Sequence, residues 1–245
     1  MKRSFLLTVA CLLIFSMGAN AQVYELGVSA FINNGYLYNQ NVVDRGNEQG
    51  LSWHTDLNYG ISAVWYPNYF HGIQLEFNYG EFTQDYRGLD EVLGWPHNYD
   101  SRTTLTAFNI PASWRIGYND YLELGVNTSF ITAANYEFED SDEQWEKDVT
   151  ETFNSTNFSV FAGMGASVEL TKNFRLSTSI RGSYGLVDLA GVDAYGNDLN
   201  DTENPALYNT DPEAEAPYVG YQPTNTVMFT MKIGLIYRII PEEDQ

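Results

Sequence analysis

The stretch Asn225-Thr226-Val227-Met228-Phe229-Thr230-Met231-Lys232-Ile233-Gly234-Leu235-Ile236-Tyr237-Arg238-Ile239 decides how the rest of the chain is read. Every second residue from Val227 is apolar and bulky: Val227, Phe229, Met231, Ile233, Leu235, Tyr237 and Ile239. Between them stand Thr226, Thr230, Lys232, Gly234 and Arg238. A period of two sends the two sets to opposite faces of a strand. An apolar face of this length, ending in an aromatic, suits a strand that crosses a bilayer, for which about 9–11 tilted residues suffice. A soluble sandwich strand can show the same alternation, so the remaining segments have to decide between them.

They repeat the pattern. Moving to the start of the chain, Leu26, Val28, Ala30 and Ile32 oppose Glu25, Gly27 and Ser29. Residues 57–66 set Leu57, Tyr59, Ile61, Ala63 and Trp65 against Asn58, Gly60 and Ser62. Residues 73–80 set Ile73, Leu75, Phe77 and Tyr79 against Gln74, Glu76, Asn78 and Gly80. The same holds for 103–116, 122–130, 158–169 and 174–186, where Leu124 and Ile180 oppose Glu123 and Arg181. Pro111 cannot donate to a ladder, which predicts a bulge or bend in its strand.

Eight strands result, and their connections alternate long and short. The long ones cover 33–55, 84–102, 132–156 and 188–224; the short ones centre on Pro67-Asn68, on Tyr118-Asn119-Asp120 and on Thr171-Lys172-Asn173. That asymmetry belongs to outer-membrane barrels, long outside and short in the periplasm. A soluble barrel would bury the apolar set and leave an outer surface of Gly and Ser. Small inward residues instead suit a narrow barrel whose lumen is filled by side chains. The expectation is an eight-stranded antiparallel transmembrane β-barrel, with Leu26, Ile73, Leu124, Ile180 and Leu235 turned outward to lipid.

The start of the chain gives an address. Lys2 and Arg3 precede an apolar run from Phe5 to Phe15, and Ala19-Asn20-Ala21 is a small-x-small cleavage site. Residues 1–21 read as a secretory signal peptide, leaving one barrel domain over 22–245. Cys11, the single cysteine, lies inside that run, so the mature chain has neither a disulfide nor a thiolate metal site. The chain has 12 basic and 32 acidic residues; without Lys2 and Arg3 the balance is 10 against 32, or −22. Such a charge repels nucleic acid. Mean hydropathy is −0.30, and no stretch after the signal reaches the ~18 apolar residues of a spanning helix. Barrel strands bury only alternate residues in lipid and escape that measure.

The polar face carries Glu25, Glu76, Glu123 and Glu169 with Arg115, Arg175, Arg181 and Lys232. Arg115 with Glu123, Glu169 with Arg175, and Glu25 with Arg238 are the pairings that sequence proximity and barrel closure suggest. The set reads either as the constriction of a conducting pore or as a neutralised network that plugs the lumen. The plug is favoured, because eight strands leave room only for side chains and buried charges must be paired.

Half of the 32 acids fall in two loops, 132–156 and 188–224. Asp193, Asn197, Asp198 and Asp201 offer hard oxygen ligands for Ca²⁺ at short spacing, though not in an EF-hand pattern, and plain solvated acids are the simpler reading. Trp145, Tyr195, Tyr208, Tyr218 and Tyr221 either form a contact surface for a partner or pack the loops onto the barrel mouth. His54 and His97 fall in outer loops and His71 at a periplasmic turn. Asp100 and Ser101 lie near His97, but the spacing secures no nucleophile with a base and an orienting third group. No enzyme and no cofactor is expected.

Lys232, Gly234, Tyr237 and Ile239 stand in the order polar, Gly, aromatic, apolar that resembles the C-terminal targeting signal read by the barrel-assembly machinery. Ala107-Phe108-Asn109-Ile110-Pro111, then Tyr121-Leu122-Glu123-Leu124-Gly125, resemble the "aromatic-x-I-P" and "Y-x-E-x-G" strands of the outer-membrane β-barrel family of Bacteroidota that includes PorT-like proteins. Gly163-Met164-Gly165 and Arg181-Gly182-Ser183-Tyr184-Gly185-Leu186 resemble its "G-x-G" and "R-x-x-Y-G-L" strands. Family members commonly stop at a terminal Phe, whereas here Ile239 and Ile240 are followed by five more residues. The resemblance implies an outer-membrane barrel; a place in a type IX secretion apparatus belongs to one member and is not general. The expected function is a non-enzymatic envelope or scaffold barrel in the bacterial outer membrane. It would contact membrane lipid, with a protein partner through loops 132–156 and 188–224. Transport of a small or apolar solute is the competing reading, and a soluble periplasmic binding barrel the third.

Overall fold

A computed structural model describes residues 23–45, 49–68, 70–92, 95–140, 144–191, 194 and 222–239, with backbone only at 44–45, 89–92 and 95–97. The predicted signal peptide lies outside the described residues. Ten strands are present among them: β1 (Val23–Tyr38), β2 (Gly50–Ser52), β3 (Asp56–Asn68), β4 (His71–Val92), β5 (Trp95–Ile116), β6 (Asp120–Glu139), β7 (Gln144–Asp148), β8 (Thr156–Glu169), β9 (Phe174–Gly185) and β10 (Asn225–Ile239). A short helix α1 (Gln40–Arg45) follows β1.

Eight strands form a closed antiparallel ring in the order β1, β3, β4, β5, β6, β8, β9, β10. Closure comes from β1 against β10, paired from Tyr24 with Ile239 to Tyr38 with Asn225. The quoted stretch is therefore the strand that seals the barrel.

The apolar set faces outward on every strand. Leu26, Ile73, Leu124, Ile180 and Leu235 are all exposed on the outer surface, while Glu25, Gln74, Glu123, Arg181 and Lys232 are buried in the lumen. Apolar outside and polar inside is the arrangement of a barrel solvated by hydrocarbon. Among the described residues no helix is long and apolar enough to cross a membrane; crossing is by strands.

Three strands run much further than a bilayer requires. β4 and β5 have 22 residues each and β6 has 20, against the roughly 9–11 that span. Their surplus carries on as a sheet β2–β4–β5–β6–β7 beyond the barrel's long-loop end. The predicted loops 84–102 and much of 132–156 are thus paired strand. The outward apolar row of β4 ends at Tyr79, with Glu81 next on that face, because this part of the sheet stands in water, but the pairing does not stop.

Two local expectations are corrected. Pro111 causes no bulge: it sits opposite Asn127 in unbroken register with β6. Its missing donor shows only as a gap in the β4–β5 ladder between the pairs Leu75–Ala112 and Asn78–Asn109. The register shift of β5 falls instead between Thr106 and Ala107, where β6 carries an extra residue. The first short turn lies just past Asn68, whose side-chain oxygen accepts from the N–H groups of Phe70 and His71 at 2.9 and 2.8 Å.

Candidate functional site

The lumen is built in layers that follow each strand upward from the short turns. At the short-turn end, Tyr66 and Tyr121 put their rings inside. Arg115 donates to both phenol oxygens, at 3.4 and 3.2 Å, and lies 4.0 Å over the Tyr121 ring. Tyr121 also meets Ser177 at 3.1 Å across the lumen. Alongside, Arg175 donates to Glu25 at 2.8 Å and to Asn119 at 2.6 Å, with its guanidinium 4.4 Å over Tyr118.

The next layer is ionic. Arg181 donates to Glu123 through Nε at 2.5 Å and to Glu76 through both terminal nitrogens, at 2.8 and 2.5 Å. Lys232 donates to Glu76 at 2.6 Å, and Gln74 also donates to that carboxylate. All four charged side chains are buried. One glycine makes the arrangement fit. A Cβ on Gly163 would stand 2.9 Å from both Arg181 and Glu123, which meet over it from β9 and β6.

Above the ions comes a belt of amides. Asn78 donates to Glu76 at 3.2 Å, Asn127 to Ser129 at 2.9 Å, and Thr230 to Asn33 at 2.8 Å. A cavity of about 60 Å³ lies among them. Higher still, Leu37, Leu105, Ala134, Tyr136, Phe138, Val149, Phe153 and Leu189 form an apolar cluster with Phe82 packed on it.

Seven of the eight predicted lumen charges are buried inside; Glu169 is half-exposed at the short-turn rim. The three predicted pairings are not the ones made. Arg115 and Glu123, Glu169 and Arg175, and Glu25 and Arg238 are opposite one another in backbone register. Yet Glu123 goes to Arg181, Arg175 to Glu25, and Arg238 to Glu169 at 2.6 Å. In a narrow lumen, long side chains reach past the adjacent strand, whose inward residue is often Gly or Ser. Tyr66 and Tyr121 are lumen members that the charge list missed. The signal was there: Tyr66 has the strand parity of Asn58, and Tyr121 that of Glu123.

Lys232 and Gly234 of the proposed assembly signal face the lumen, and Tyr237 and Ile239 face outward. The Ca²⁺ candidates Asp193, Asn197, Asp198 and Asp201 lie outside the described residues. Asp100 and Ser101 occupy opposite faces of β5, Asp100 pairing with Arg87 at 3.2 Å and Ser101 buried beneath. They cannot act as one constellation. His71 packs between Phe70 and Trp114. His54 sits 2.9 Å from Asp85 and 3.7 Å from Asp56.

That histidine belongs to a charge ladder on the outer face of the sheet beyond the barrel. Arg102 donates to Asp85 at 2.6 Å and lies 3.8 Å from Glu137. Burial works against the ionised Asp85, but bonds from Arg102 and His54 outweigh it and hold the carboxyl below its ordinary value. Trp145 stacks 5.4 Å from Phe138 and lies 5.5 Å from Tyr136, so this loop aromatic packs down on the sheet.

No family model and no curated protein sequence matches the chain. Distant likeness is found to solved structures. Ail, the attachment invasion locus protein of Yersinia pestis, shares 10% identity over 89% of this chain and 99% of its own, with a TM-score of 0.40. Neisserial surface protein A shares 10% over 87% and 96%, with a TM-score of 0.38. Outer membrane protein OprG from Pseudomonas aeruginosa shares 11% over 89% and 96%, also at 0.38. Overlap this loose transfers nothing to the present residues. The strand pairing, the outward apolar band and the buried ions by themselves make the chain an eight-stranded antiparallel transmembrane β-barrel.

Proposed function

We propose that this chain is a non-enzymatic barrel of the bacterial outer membrane that anchors and presents the sheet β2–β4–β5–β6–β7 to a protein partner outside the cell. The observation that carries this reading is the lumen, in which Arg181, Glu76, Glu123 and Lys232 neutralise one another across the bore. The cavity above them, lined by Asn33, Asn58, Asn78, Asn109 and Asn127, holds about 60 Å³. A bore crossed by this ion network among the described residues weighs against transport. What extends beyond the bilayer is a paired, acidic face bearing Asp85, Asp100, Glu137, Glu139, Glu146 and Asp148, which favours a partner with a basic surface. An accessory place in a larger envelope or secretion complex, as the PorT-like resemblance suggests, is the finer form of the same reading.

The test is paired. The full chain reconstituted in a planar bilayer is expected to show no stepwise conductance at neutral pH. The same chain purified from its own membrane in mild detergent is expected to retain a protein that a variant lacking the outer hairpin loses. Steady unitary currents from the wild type would replace this reading with transport.

A further inference from the structure

The lipid-facing surface is not uniform. On β3, β4 and β5 it carries Tyr59, Phe77, Tyr79 and Trp114, all exposed, and the small residues Ala63 and Ala112 are separated by Leu75. The wall made by β8, β9, β10 and β1 is different. Ala162 stands opposite Gly182, and Ala166 opposite Thr178. Between these two small rows runs a ridge of Met164, Ile180 and Met231, also in register. The result is two apolar depressions, one below the other on the same wall. The upper, about 590 Å³, includes Ala162, Gly182, Phe229, Tyr184, Tyr36 and Trp53 in its lining. The lower, about 860 Å³, runs over Ala166 and Thr178 beneath the ridge.

We propose that this wall seats one acyl chain of an outer-leaflet lipid, lying over Ala162 and Gly182 and passing the methionine ridge into the lower depression. Four observations carry it. Gly182 opens onto free space, since a Cβ there would meet nothing within 4 Å. Trp53 is 65% exposed at the upper lip, held edge-on to Tyr36 at 4.7 Å. An amphipathic aromatic pair in that place marks the headgroup level. Met164 and Met231 are unbranched and adapt to a methylene chain. The depressions are also continuous with the band already facing hydrocarbon, and their lining is mostly apolar, with Thr178 and Asp120 among the polar exceptions in the lower one. The acidity of the molecule disfavours an anionic headgroup as the recognised part, which leaves the chain itself.

The full chain, folded in nanodiscs of dioleoylphosphatidylcholine and released into dodecyl maltoside, is examined by native mass spectrometry. Wild type is expected to carry one retained lipid. Gly182→Leu and Ala162→Leu, each of which fills the upper floor, are expected to lose it roughly tenfold, the change that follows if about two methylenes lose their seat. Ala63→Leu, outward on β3, is expected to keep it. Heat-modifiable gel mobility selects the folded species of each variant. Equal retention by wild type and both floor variants, a wild type with no lipid, or a dimer without lipid would each overturn the proposal. None of these outcomes bears on whether the lumen conducts.

Discussion

Arg181 holds the middle of the lumen. Its guanidinium satisfies two carboxylates, and Glu76 in turn satisfies both Arg181 and Lys232. Removing one partner from a buried ion pair strands the other in low dielectric, at a cost of about 3–5 kcal/mol. Glu76→Gln is therefore expected to destabilise the folded barrel by about that much, because Lys232 then has no carboxylate at hand. Glu123→Gln should cost less, since Arg181 keeps Glu76. Urea unfolding in detergent, read by gel mobility, measures both. At the outer sheet the sign of a pH effect can be worked out from Asp85. Its folded pKa is depressed, so the stabilisation it gives is complete above the ordinary carboxylate value of about 3.9 and disappears as pH falls through the lower folded value. The hydrogen-exchange protection factors of Thr83 to Arg87 should fall in that acid window in the wild type. In Asp85→Asn they should be lower throughout and flat across the window. Which residues turn inward was legible in the sequence, because strand parity alone places them. Which of them bond was not. Side chains as long as Arg and Glu choose partners across the bore, and strand adjacency does not encode that choice.

At the scale of elements, the eight crossing strands could be read because lipid enforces strict alternation on their outer face. The upper parts of β4, β5 and β6 could not. There both faces are polar or packed, as in Gln84, Asp85, Tyr86 and Arg87, and water makes no demand for alternation. Residues 84–102 therefore look like a loop although they form most of a hairpin ladder. The membrane-spanning part needs only about 9–11 residues of each strand. Replacing residues 88–99 with a short Gly-containing turn is accordingly expected to leave folding and heat-modifiable mobility intact. Loss of the folded band would mean that the outer sheet contributes to barrel assembly as well as to display.

For the whole molecule, the test of inside and outside is a charge on the lipid face. Ile233→Arg, outward near the middle of β10, is expected to cost about 2–4 kcal/mol, the value for a cation near the bilayer midplane. A cation placed on an outward residue of the water-exposed upper sheet, such as Thr104→Arg, should be close to neutral. The layered lumen also bears on how the molecule comes to exist. Arg181 lies 105 residues after Glu76, and Arg175 lies 150 after Glu25. Each of these cations lies far along the chain from the carboxylate it neutralises, and Lys232 is the last of the buried ones. A half-wound sheet would therefore hold bare Glu25, Glu76 and Glu123 facing an unclosed seam. Arg181 can meet Glu123 once β9 is laid beside β8, but Glu25 and Glu76 lie across the seam, so sealing β10 against β1 completes the wall and the remaining neutralisation together.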